Sequence, residues 1–193
     1  MKYYLKKAIL PWVYLALMTI MSLTVHAVES AVVKYFLMAV TLLLYLFIVA
    51  LFAYKDGQEA LKVRLSNDIE RRTIIETGED RPLNLKEEYK PYKGFVMALV
   101  ASLPLIVLMV IHTLLIPSSN GLSTGASKVA NVLYSIVYNF FTWKSTTVYT
   151  SYFTLLYIPI MMIAMGIPYI LGAKLIEDQQ SQIKDIHKQI YGE

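Results

Sequence analysis

The sequence predicts an all-α integral membrane protein: four transmembrane helices, an ordered helical cytoplasmic loop, an outer interfacial amphipathic helix and a helical C-terminal tail. Three observations lead there. The chain is 56% hydrophobic and only 17% charged, with a mean hydropathy of +0.50, outside the range of soluble globular domains. Four apolar runs, 8–28, 31–53, 94–116 and 152–171, each approach the roughly 20 residues that a helix rising ~1.5 Å per residue needs to cross ~30 Å of hydrocarbon. They lack the alternation of barrel strands, and backbone polar groups cannot go unpaired in lipid, so each run reads as a helix. Finally, with the N-terminus inside, fifteen of the eighteen Lys and Arg residues fall in residues 1–7, the 54–93 loop and the 172–193 tail. Only Lys34, Lys128 and Lys144 lie outside. That excess near the helix ends places both termini in the cytoplasm. The net charge of +4 is then a matter of topology, and no nucleic-acid partner is expected.

The first run follows a basic Met1–Lys7 segment and ends at Val25-His26-Ala27, which has the small-x-small form of a secretory cleavage site. A signal core is about 7–15 residues long and this run is longer, so it is expected to be a retained helix. Glu29-Ser30 leaves room only for a tight outer hairpin into the second helix.

In the loop that follows, Gln58 to Thr77 combines helix formers with Leu61, Leu65, Ile69 and Ile75 in one stripe at 100° per residue. Glu59/Lys62 and Asp68/Arg72 have the spacing of helical ion pairs. Gly78 suits a helix stop, and Asn84-x-x-Glu87 predicts a cap on a short second helix ended by Pro91. Between the third and fourth spans, Pro117 to Gly125 is small and polar. Val129, Leu133, Ile136, Val137, Phe140 and Phe141 then mark an apolar helix face lying in the outer interface. The tail spaces Ile176, Gln179, Ile183, Ile186 and Ile190 by three and four residues, the pattern of a coiled-coil seam. One reading extends the fourth helix to pack on the loop helix; the other makes the tail an oligomeric or partner-binding seam.

Signals for chemistry are few. The absence of cysteine removes thiol redox chemistry and thiolate metal sites. There is no phosphate-binding glycine loop and no His-Glu-x-x-His. Gly121-Leu122-Ser123-Thr124-Gly125 matches a nucleophile-elbow string, but it lies in a loop after a membrane helix rather than at a strand-turn-helix. His26, Glu29 and His112 fall at one outer membrane level, and two imidazoles with a carboxylate could hold a divalent metal or relay a proton. Pro104, Pro159 and Pro168, with Gly166 between the last two, predict helix kinks and make the fourth helix the most easily broken.

No catalytic residue and no cofactor is expected, and no ionisable group sits mid-span. The favoured reading is an accessory or scaffold subunit of a larger membrane assembly, not an enzyme. Leu61, Leu65, Ile69, Ile176, Ile183, Ile186 and Ile190 would carry the contact. Its partners would be membrane lipid and other membrane subunits or further copies of itself. The alternative is a small self-contained transporter or channel with a kinked fourth helix; a membrane metal protein or hydrolase ranks below both. The lysine-heavy composition points to a bacterial cytoplasmic membrane.

Overall fold

The computed structural model describes residues 2–25, 28–79, 82–115 and 156–191. The described residues are helical apart from the connections, with no strand among them. Four helices carry the fold: α1 (Lys2–Val25), α2 (Ala31–Thr77), α3 (Lys93–Leu115) and α4 (Tyr157–Tyr191). The predicted outer interfacial helix, within 117–151, lies outside the described residues.

Helices α2 and α4 are long and apolar enough to cross a membrane. Their outward faces are themselves apolar, with Phe36 67% and Leu43 65% exposed. The interior mixes small and large side chains: Ala53, Ala60, Ala98 and Ala101 share the core with Met18, Met97, Met161, Met165, Leu15, Val49, Leu105 and three buried tyrosines. Small residues let helix backbones approach closely, and methionine fills the irregular spaces left over.

Around the bundle, α2 and α3 each lie between α1 and α4. The α1–α2 hairpin turns at Val28 to Ser30 as predicted, and Tyr14 meets Phe52 across it with ring centroids 5.5 Å apart. Helix α2 differs from expectation. Its 47 residues run unbroken for about 70 Å, so the span and the predicted Gln58 helix are one rod. Lys55-Asp56-Gly57 reads as a break in the sequence, yet glycine costs a helix only about 1 kcal/mol and tertiary contact can override that. The contact here is a backbone crossing. A Cβ on Gly57 would stand 2.0 Å from the Tyr169 carbonyl oxygen, and one on Gly172 would stand 2.0 Å from that of Tyr54. The two glycines are reciprocal, each making room for the other helix.

Proline is handled in three ways. Pro159 falls in the first turn of α4, where no intrahelical donor is required. Pro104 removes the bond to the Val100 carbonyl and loosens that turn of α3. The indole of Trp12 donates to the neighbouring Ala101 carbonyl at 3.1 Å, tying α1 to the loosened turn. Pro168 lies inside α4, which nonetheless continues unbroken to Tyr191. Gly166 serves packing, since a Cβ there would collide with the Phe95 ring.

The hydroxyls of Thr41, Ser102, Tyr45 and Tyr157 are hydrogen-bonded within the bundle, whereas the buried Tyr169 hydroxyl has no hydrogen-bond partner among the described residues. Thr41 and Ser102 donate to the carbonyls of Leu37 and Ala98 in their own helices. The Tyr157 hydroxyl donates to that of Tyr45 at 3.0 Å, joining α2 to α4. Tyr157→Phe is expected to cost about 1 kcal/mol in detergent, and a double-mutant cycle with Tyr45→Phe to show coupling of about 0.6–1.7 kcal/mol. Thermal unfolding of the four proteins measures it, and strict additivity would show that the hydroxyls do not interact.

Candidate partner-binding groove

Past the Gly57/Gly172 crossing, α2 still meets α1 where Lys7 faces Glu59, and α2 and α4 then run on with mostly exposed or half-buried side chains. Helix α2 continues some 36 Å beyond Ala53 and α4 about 30 Å beyond Leu171, by the ~1.5 Å rise per residue. The connecting segment 82–92 packs against the base of these extensions. Tyr89 donates its backbone N–H to the Ala60 carbonyl at 3.0 Å and stacks its ring on Tyr169, centroids 5.5 Å apart. Asn84 donates its N–H to the Asn67 side chain at 3.1 Å. The short helix predicted after Asn84 is absent; residues 85–87 form a turn. Glu87 accepts from the Asn84 side chain rather than from its backbone N–H, so the reciprocal cap is incomplete. The carbonyls of Lys86 and Glu88 go to the Lys93 ammonium, at 2.8 and 2.6 Å.

Between the extensions lie two adjoining cavities of about 510 and 420 Å³ that share Leu65, Asp68, Gln180 and Lys184. Together they make one groove. Of the residues predicted for partner contact, Leu61 is buried at its base, Leu65 is half-buried in the wall, and Ile69 and Ile183 stand exposed at the far end, 67% and 64% accessible. Ile176 is half-buried outside the lining, and Ile186 and Ile190 fall on the last turns of α4.

The ion pairs differ from those that spacing predicts. Asp68 pairs with Arg71 at 2.8 Å rather than with Arg72, because Arg71 also reaches Glu88 at 3.0 Å and so ties the connection to α2. Glu59 faces Lys7 at 3.5 Å rather than Lys62. Arg72 is thereby left on the groove.

Lys7 chiefly bonds Asp56, joining α1 to α2 beside a cavity of about 530 Å³ lined by Tyr3, Lys6, Lys62 and Glu87. Burial pulls the Lys7 ammonium down, but the hydrogen bond and charge of Asp56 outweigh it, and its pKa ends above the ordinary lysine value. Asp56 also ends above its ordinary value, because burial outweighs the help from Lys7. Burial likewise pushes the Tyr3 phenol up to about 12. Lys93, with its ammonium 5.1 Å from the centre of the Tyr3 ring, is lowered by burial and by Lys90.

The predicted metal level of His26, Glu29 and His112 falls partly outside the described residues. Glu29 is exposed in the hairpin, His112 falls on α3, and His26 lies outside the described residues. No cluster of three metal-ligating side chains occurs among the residues described.

Sequence reading missed the glycine crossing, the Lys7–Asp56 pair and the buried Lys93. Isolated glycines at 57 and 172 were the visible signal for the first. The ion pair left none, since its partners are 49 residues apart. Together, the fold and the groove define a helical protein with two candidate membrane-crossing helices whose far ends frame a cleft lined by aliphatic and charged side chains. Comparison with protein-family models, curated proteins and solved structures finds no match.

Proposed function

We propose that this chain is an accessory or scaffold subunit of a larger membrane protein assembly. In this reading it crosses a bacterial cytoplasmic membrane four times with both termini inside, and it binds its partner through the cytoplasmic ends of α2 and α4. The observation that carries the proposal is the groove, where Ile69 and Ile183 face solvent on helices that project well beyond the bundle. From Lys174 to Gln189 no described side chain of α4 is buried. An isolated helix of that length is marginal in water, so a covering partner would stabilise it.

The test is native extraction in mild detergent, sizing on a native gel, and mass spectrometry of whatever travels with the chain. A stoichiometric companion is expected in a band well above the 22.0 kDa chain. Ile69→Asp and Ile183→Asp should each weaken its retention by about 10- to 100-fold, the loss expected when a well-buried aliphatic anchor worth ~1.5–3 kcal/mol becomes charged. Both positions are exposed, so the bundle should fold unchanged. Migration of the chain alone would shift the reading to a self-contained transporter or channel.

A further inference from the structure

The groove has features that select among partners, and this inference rests on the accessory-subunit reading. Its α2 wall runs from Leu61 to Arg72 and its α4 wall from Ile170 to Lys184. At ~1.5 Å per residue these walls are about 16 and 21 Å long, the length of roughly three to four helical turns. The apolar positions Leu61, Leu65 and Ile69 repeat every four residues along one wall, with Ile183 opposite. A partner strand could not use this cleft well, because both walls are helices and offer no unpaired backbone edge. A third helix laid between them would bury its apolar face on three sides.

Charge narrows the occupant further. Arg64, Arg72, Lys174 and Lys184 line the groove against Asp68 and Glu177. Asp68 is already engaged by Arg71, so Glu177 is the remaining acid facing four cations. Ile69 lies sixteen residues past Ala53, some 24 Å along α2 by helical rise, too far from the predicted span for lipid tails to cover it. A second copy of this chain is a poor match, since its extensions carry no acidic excess: acids and bases are five and five over 54–77 and three and three over 172–191. We infer that the groove binds an acidic amphipathic helix of another protein, about three turns long, with aliphatic residues at i, i+3/i+4 and i+7 flanked by Asp or Glu.

The experiment uses the full chain in detergent and two fluorescent 14-residue helical peptides with the same leucine face, one flanked by glutamates and one by lysines. The glutamate peptide should bind the wild type about tenfold tighter than the lysine peptide, with the preference shrinking as salt rises. Arg72→Glu with Lys184→Glu should invert that order. Ile183→Asp should weaken binding about 10- to 100-fold, whereas adsorption to the micelle would not respond to it. Equal binding of the two peptides, binding of neither, or an order unmoved by the double reversal would overturn the assignment. The native gel separates the two readings. A companion retained despite the charge reversals and Ile183→Asp overturns the groove but leaves an accessory subunit standing; a chain that migrates alone removes both.

Discussion

Gly172→Leu is expected to destabilise the protein more than any other single substitution considered. A side chain at 172 would begin 2.0 Å from the Tyr54 carbonyl oxygen and 2.9 Å from its carbon. These are backbone atoms of a 47-residue helix, so no rotamer change can relieve the contact and the helices must part. The reciprocal approach at Gly57 would then be lost too. Overpacking a core costs about 1–3 kcal/mol when side chains can adjust, and a backbone collision should exceed the top of that range. Thermal unfolding in mild detergent, followed by loss of the monodisperse peak, should show a sharply lowered midpoint for Gly172→Leu and a smaller drop for Gly172→Ala. Gly78→Ala is the contrast: its left-handed φ of 73° with open space around it predicts a penalty of about 1 kcal/mol, confined to the end of α2. A wild-type midpoint for Gly172→Leu would mean that the helices do not cross there.

That crossing also shows what the sequence made legible. Apolar run length and the hairpin residues Glu29-Ser30 placed the start of α2 at residue 31, α3 within one residue and the end of α1 within three, because those signals are local, whereas α1 begins six residues before its apolar run. Continuity of α2 through Lys55-Asp56-Gly57 was not legible, since the force that holds Gly57 in a helix comes from Tyr169 on α4. The same reason explains the ion pairs. Spacing along α2 favours Asp68 with Arg72, but Glu88 draws Arg71 into a bridge. The Leu61, Leu65, Ile69 stripe was readable as an apolar face. Whether that face was spent internally or left open depended on where α4 diverges, and only the structure supplies that.

Lys93→Met should release the α2–α3 connection while leaving the helices in place. Lys93 is 4% exposed, and its ammonium donates to two carbonyls of the 85–88 turn while sitting over Tyr3 of α1. Methionine fills similar volume but donates nothing, so two charge-assisted bonds and a cation–π contact go at once. The carbonyls can regain water, which limits the net loss to about 2 kcal/mol. The Tyr89 amide, bonded to the Ala60 carbonyl, reports this directly, and its exchange protection should fall about thirtyfold. Unchanged protection would show that Tyr89 stacking alone holds the connection. The alkaline behaviour separates buried Lys93 from half-buried Lys7. Lys93 titrates below its ordinary 10.5, so between its lowered value and 10.5 the unfolded chain binds the proton more strongly and stability rises with pH. Lys7 titrates above 10.5, so its contribution is complete below that pH and is lost as pH climbs through its raised value. The Tyr3 phenol, pushed up to about 12 by burial, also holds its proton more tightly in the folded chain, so it adds to the loss of stability above pH 10. In the unfolding midpoint, Lys93→Met should lessen the rise below that pH, and Lys7→Met should shrink the fall above it without removing it, because one cation is held against burial by carbonyl dipoles and the other by a full carboxylate charge.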